Sequence, residues 1–438
     1  MTVLDEKTVA AVPLRRNRDF LLLWTGNWLQ FFGSRMSGVC YPLLALQVSG
    51  GSARAVGFAS AAAVLPYAVV QLPAGVLVDR WDRRRVMQVC AVGRTAVLAA
   101  VAAMVLLDVL GIGALLALIA ADVSLAIVSS LAERAAVRTV VPDRQLPSAL
   151  AQNEARGRIA GLLGGPAGTV LFTWSRWSPY LAAAFGAVVA AVNVRLIRAD
   201  CRPAAAEGRR RIREDLSEGL AWVRTQPVLR SALPLVALAT GLLQVVSLAL
   251  VVVLVKEEGH AESTVGLLLG ISGCGGVLGA LSARWWMARL PMPALLVGGF
   301  TLWAVLMGGM SAASGPVALG LLFGAMNLIG AVFGVATAVY QMTTTPDRLQ
   351  GRVAALAGLV TAAGATVGAF GGGWLLETFD GARSLRFTAV AMAVVALSTG
   401  LVPSVRRARI PTAEPTADTP ADPSADAPDP ESRGGAPA

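Results

Sequence analysis

Gly75-Val76-Leu77-Val78-Asp79-Arg80-Trp81-Asp82-Arg83-Arg84-Arg85 is a short charged segment held between two long apolar runs. The runs cover about 53–78 and 86–107, and each is long enough to cross a bilayer, which takes about 20 mostly apolar residues. A connection this short forces the two runs into an antiparallel helical pair. Its four arginines then belong on the cytoplasmic face, where basic residues are retained. The segment predicts an all-α membrane protein and fixes its orientation.

The rest of the chain agrees. Of 438 residues, 55% are apolar and only 15% charged, and the mean hydropathy is +0.64. A soluble domain carries roughly 25% charged residues. The net charge of +10 predicts no nucleic-acid partner, because the arginines lie between apolar runs rather than along one face. Cys40, Cys90, Cys201, Cys274 and the single His260 show no metal-ligand spacing, so neither a metal nor a disulfide framework is expected. No nucleophile–base pair or phosphate loop appears either, and neither an enzyme nor a cofactor is expected. The apolar run after Arg18 lacks a small-residue cleavage site and reads as a first span rather than a removable signal.

Twelve spans are predicted, at 20–44, 54–78, 87–107, 111–131, 152–173, 178–198, 231–255, 263–283, 292–313, 316–340, 354–376 and 384–403. With the N-terminus inside, 30 of the 37 basic residues fall on the cytoplasmic side, and both termini are cytoplasmic. The chain divides into a cytoplasmic N-terminal segment (1–19), a six-helix half (20–198), a linker (199–230), a second six-helix half (231–403) and a disordered cytoplasmic tail (404–438). Within the linker, Ile212, Leu216, Leu220 and Val223 share one side of an amphipathic helix expected at the membrane surface.

An internal repeat supports the division. Thr139-Val140-Val141-Pro142-Asp143-Arg144 matches Thr343-Thr344-Thr345-Pro346-Asp347-Arg348 at an offset of 204 residues. The same offset carries Gly75, Leu77 and Arg80 onto Gly279, Leu281 and Arg284, but Asp79 onto Ala283. Two loops agreeing on one offset point to parallel six-plus-six repeats. Glycines every fourth residue, at 157/161/165 and 364/368/372, predict close helix packing in lipid.

These features resemble the major facilitator superfamily, whose loop between spans two and three has the form G-x-L-a-D-R-x-G-R-[KR]. Gly75, Leu77, Asp79, Arg80, Arg83 and Arg84 fit it, and Asp82 replaces the second glycine. Arg18-Asp19-Phe20-Leu21-Leu22-Leu23-Trp24, Pro42-Leu43-Leu44-Ala45-Leu46 and Pro346-Asp347-Arg348 are similar to the bacterial drug:proton antiporter branch that contains macrolide-efflux and enterobactin-exporter-like proteins. One departure is Gly165-Pro166-Ala167-Gly168-Thr169 in span five, one residue shorter than the glycine-proline ending common in antiporters of the superfamily.

The resemblance implies a secondary transporter of the bacterial cytoplasmic membrane, working as a monomer. It would export amphiphilic small molecules, drug-like, macrolide-like or siderophore-like, in exchange for protons. Import of a small organic solute, or a receptor or enzyme on the same scaffold, are the alternatives. It also implies that Asp79, with Gly75, faces the start of span eleven and latches the outward-facing state. Arg80, Arg83 and Arg84 would bind neighbouring helix ends or lipid phosphates.

Charges inside spans need partners. Arg35 and Asp122 lie at similar depths in spans one and four, which line the central cavity in the superfamily. They are expected to pair there, as a proton-coupling site or as a purely structural ion pair. Arg94, nearer the cytoplasmic end of span three, is assigned no role. Trp24, Asn27, Gln30 and Phe31, with Gln244, Asn327 and Tyr340, are the expected substrate-cavity residues, helix–helix hydrogen bonds being the alternative.

Overall fold

A computed structural model of the protein describes residues 14–199, 201 and 212–403. The expected disordered tail, and most of the N-terminal segment, lie outside the described residues. The first helices are α1 (Arg18–Val48), α2 (Ala53–Val69), α3 (Gln71–Arg80), α4 (Arg83–Leu106), α5 (Ile112–Val140), α6 (Leu146–Trp174) and α7 (Ser178–Leu196). α8 (Ile212–Thr225) follows, then α9 (Pro227–Val252) with a π-helical extension at Val253–Glu257. The chain continues as α10 (Ser263–Arg289), α11 (Met292–Met310), α12 (Pro316–Thr344), α13 (Asp347–Thr378) and α14 (Gly381–Leu401).

Local chemistry sets the helix boundaries. The side chain of Asn17 accepts from the Phe20 N–H at 3.1 Å, Asp82 from Arg84 at 3.0 Å and Asp380 from Arg383 at 2.7 Å. Each satisfies a donor that the first helical turn leaves unpaired. Proline breaks the second span. Pro73 cannot donate to the carbonyl four residues back, at Val69, and α2 and α3 are bent by 48° about Val70.

Nine helices among the described residues are long and apolar enough to cross a membrane, or ten if α2 and α3 form one bent span. α1 and α6 run to 31 and 29 residues but are more polar. The polar first turns of α6 explain why hydropathy starts that helix at 152 when it begins at Leu146. α5 likewise continues to Val140 rather than 131, so Glu133 lies in a helix rather than a loop.

The helices pack as two sets. In the first, α1 lies against α6 and α7, α4 against α5 and α7, and α2 against α5. In the second, α9 lies against α13 and α14, α11 against α12 and α14, and α10 against α12. Each pairing in one set has its counterpart in the other when every helix is advanced by half the chain. Large apolar side chains such as Phe185, Val305 and Val390 face outward, as lipid rather than water requires.

The sets meet along α2–α13 and α6–α10, and the specific contacts gather toward one end. A Cβ on Gly57 would lie 2.6 Å from the Gly373 Cα, so both positions need glycine for α2 and α13 to touch. Beside them, Phe58 and Phe370 rings stack edge to face at 5.6 Å. A carboxylate oxygen of Glu377 on α13 accepts from the Ala53 N–H at 2.7 Å, capping α2, and Gln47 donates to Glu262 at 2.7 Å. At the opposite end, which carries Arg80 and Arg83–Arg85, α3 packs on α5 and the α2–α3 bend leads it away from the line of α2. α8 is tied to α13 there through Glu218 and Arg352. It packs on α13, α9 and α3, so it is a strut between helices as well as a surface helix.

The glycine rows behave unequally. Gly372 on α13 lies under Val245 of α9, with 3.1 Å left for a Cβ. On α6 the close approach to α1 is made by Gly164 and Gly168 instead of the expected row, and Gly161 has nothing within 4 Å.

Candidate functional site

α1 places Asn27, Gln30, Phe31, Ser34, Gly38 and Tyr41 along one stripe at helical spacing. That stripe forms one wall of a cavity of about 340 Å³, completed by residues of α2, α4 and α5. Asp122 and Arg94 meet in its wall. The Arg94 Nε donates to Asp122 Oδ1 at 2.8 Å, and both side chains are almost wholly buried, 2% and 3% exposed. Tyr41 donates its hydroxyl to the other carboxylate oxygen at 3.0 Å. A second guanidinium nitrogen of Arg94 donates to the Ser34 hydroxyl at 2.7 Å, which in turn donates to the Gln30 carbonyl at 3.0 Å. The Asp122 carboxylate thus accepts from two donors, and such bonds help a buried ion pair to offset its desolvation.

A second buried pair lies eleven residues further along α5, about 16 Å at 1.5 Å per residue. Arg156 of α6 donates to Glu133 at 3.2 Å and to the Trp24 carbonyl at 2.8 Å, with its guanidinium 5.9 Å from the Trp24 ring centre. Gln30 accepts from Ser129 at 3.2 Å, so polar groups of α1 and α5 continue between the two pairs. Two further cavities lie among the helices. One of about 130 Å³ lies between the sets and includes Gln244, Ser60 and Phe323. The other, about 350 Å³, is apolar and belongs to the second set, with Trp303, Phe333 and Tyr340 among its walls. Trp303 and Phe333 stack there, rings 14° from parallel.

Asp122 and Arg94 are thus a buried ion pair in the wall of a cavity between helices. The family model described as transmembrane secretion effector matches residues 8–431. The chain belongs to this family of major facilitator transporters. No curated protein sequence matches it. Similar solved structures include the nucleoside transporter NupG, with a TM-score of 0.70 and 14% identity over 89% of this chain and 100% of that one. The peptide transporter POT in complex with sulfate gives 0.69 and 13% identity, covering 90% and 96%. A bacterial homologue of the iron transporter ferroportin in an inward-facing state gives 0.66 and 14%, covering 89% and 98%. At these identities the likeness is one of fold. The transporter is a multi-pass membrane protein and not an enzyme.

The expected Arg35–Asp122 pair is not formed. Asp122 is held by Arg94 instead, because α4 packs directly on α5 and presents Arg94 at the depth of the carboxylate. Arg35 points into the same cavity with its guanidinium over the Phe31 ring at 4.9 Å. Asn27, Gln30 and Phe31 line this cavity, while Trp24 contacts Arg156. Gln244 and Tyr340 fall in the other two cavities. Asn327 donates to the Phe323 carbonyl of its own helix at 3.0 Å.

In the Gly75–Arg85 segment of the transporter, Asp79 and Arg80 are exposed. Arg83 donates to the Ala135 carbonyl near the end of α5 at 3.3 Å, and Arg84 to Val194 and Arg195 at the end of α7 at 3.2 and 2.5 Å. Cations are favoured at such carbonyl ends. Sequence reasoning missed Ser34, Tyr41, Arg94, Glu133 and Arg156. The stripe on α1 could have found the first two, being Asn27 and Gln30 continued at the same spacing.

Proposed function

We propose that this transporter is a secondary exporter of amphiphilic small molecules, drug-like, macrolide-like or siderophore-like, that exchanges them for protons by alternating access. It would sit in a bacterial cytoplasmic membrane as a monomer of twelve spans, in two six-helix halves (20–198 and 231–403) joined by the 199–230 linker. Both termini and the arginine-rich end would face the cytoplasm.

One observation carries the reading. A carboxylate, Asp122, is buried against Arg94 and Tyr41 in the wall of an internal cavity, where gain of a proton changes the charge facing the substrate. The helix sets touch at the Glu377 end, which supports a state that loads from the arginine-rich end. In that state α3 rests on α5 and Asp79 is exposed. Its latching role therefore belongs to the opposite state, in which α3 would swing toward the start of α13.

Everted membrane vesicles test the proposal. With an acid lumen, vesicles containing the protein should accumulate an amphiphilic substrate, and a protonophore should abolish the accumulation. Accumulation confined to right-side-out vesicles would mean import instead. No dependence on the protein at all would refute transport of that class.

A further inference from the structure

The lining of the first cavity includes hydrogen-bond donors that no described side chain pairs. Arg35, an exposed residue, enters it from α1, and among the described residues its guanidinium meets the Phe31 ring and no carboxylate. The two buried carboxylates nearby are engaged elsewhere, Asp122 by Arg94 and Tyr41, and Glu133 by Arg156. A guanidinium carries five N–H donors, and Gln30 adds to them. Its Oε1 accepts from Ser129, while its Nε2 is buried with no acceptor in a side chain that is 6% exposed. A buried donor left unpaired is costly, so Gln30, beside the exposed guanidinium of Arg35, favours a ligand that supplies acceptors.

Charge narrows the choice. The ionisable side chains with a full charge lining this cavity are Arg35, Arg94 and Asp122, one positive charge in excess. A cationic head meets a free guanidinium and no free carboxylate. An anionic head suits Arg35, but a negative charge beside Asp122 attracts a proton to that carboxylate. Substrate and proton would then favour each other's binding, the reverse of exchange. An uncharged head bearing carbonyl or sulfonyl oxygens satisfies both constraints: it accepts from Arg35 and Gln30 and adds no charge beside Asp122. We infer that the substrate is an uncharged amphiphile whose polar head carries several such acceptors, held by Arg35 and Gln30. The choice of uncharged over anionic rests on the proton-exchange reading above.

Three probes sharing one fluorophore test this on the purified full-length protein. They are dansyl amide (uncharged), dansyl sulfonate (anionic) and a dansyl amide carrying a trimethylammonium arm (cationic). Dansyl emission rises on entering an apolar site, so titration gives three affinities. The amide should bind most tightly and the cation at least about tenfold more weakly. Loss of a charge-assisted hydrogen bond should make Arg35→Gln weaken the amide by about tenfold or more, with Arg35→Lys restoring part of the loss. Gln30→Leu should weaken it severalfold, and the cation should gain in Arg35→Gln. A melting curve for each variant separates lost binding from lost folding.

Equal binding of cation and amide, an amide affinity indifferent to Arg35→Gln, or no response to any probe would overturn the inference. Tightest binding of the sulfonate, lost in Arg35→Gln, would overturn both the uncharged head and the exchange reading. Binding in the expected order without accumulation in vesicles would leave the inference standing and refute the transport reading alone.

Discussion

Arg94 and Asp122 meet at 2.8 Å with both side chains buried, and this pair organises the transporter's first cavity. Removing one partner of a buried pair leaves an uncompensated charge and costs about 3–5 kcal/mol. Arg94→Gln should therefore lower the melting temperature in detergent sharply. The double variant Arg94→Gln/Asp122→Asn should lose less than the two single losses combined. Equal melting of Arg94→Gln and wild type would deny the pair its structural role.

Arg156 and Glu133 make the same kind of argument beside an internal control. Arg158 and Glu154, two residues along α6, also pair, at 3.1 Å, but are 59% and 70% exposed. Exposed pairs contribute about 0–1 kcal/mol. Arg156→Gln should destabilise the protein by several times more than Arg158→Gln. Comparable melting shifts would contradict the buried placement of Arg156.

Glu377 is expected to hold the closed end through its contact with the α2 N-terminus. A capping interaction is about 1 kcal/mol, which alters an open-to-closed ratio by about fivefold. Ala369 is fully buried at this contact, so Ala369→Cys reports its opening. In a background with the exposed Cys274 removed, Glu377→Gln should speed alkylation at 369 severalfold. An unchanged rate would mean that the glycine contact alone keeps this end shut.

Asp79 should behave in the opposite way. It is exposed here and makes no described hydrogen bond or ion pair, so Asp79→Asn should melt within about 0.5 kcal/mol of wild type, as surface changes do. Transport should nevertheless fall severalfold if the residue stabilises the other state. Normal transport by Asp79→Asn would end the latching proposal.

Much of this architecture was legible in the chain because bilayer thickness acts on composition. The 204-residue offset announced paired helix sets, visible without any contact, whereas the runs flanking Gly75–Arg85 pack mainly on other helices, α3 on α5 and α4 on α5 and α7. The errors lie where composition is silent. Hydropathy averages over a window, so the long end of α5 concealed Glu133, and without Glu133 in a helix Arg156, inside the predicted fifth span, had no visible partner. Partner choice was not readable either: Arg35 was expected at the depth of Asp122 and Arg94 nearer the cytoplasmic end, and only the packing of α4 on α5 brings Arg94 to the carboxylate. The bend at Val70 follows from Pro73, yet its consequence for Asp79 depends on which state the molecule occupies. Gln30 was legible as polar in an apolar helix, but not as a donor lacking an acceptor.

The most direct test of the account places wild-type protein and Asp122→Asn in proteoliposomes and measures two fluxes of one substrate. Counterflow, which exchanges labelled for unlabelled substrate with no pH gradient, requires only a folded alternating-access carrier. Accumulation against a concentration difference under an imposed pH gradient requires the proton site as well. The account predicts that Asp122→Asn retains counterflow and loses gradient-driven accumulation. Gradient-driven accumulation by Asp122→Asn equal to wild type would contradict it.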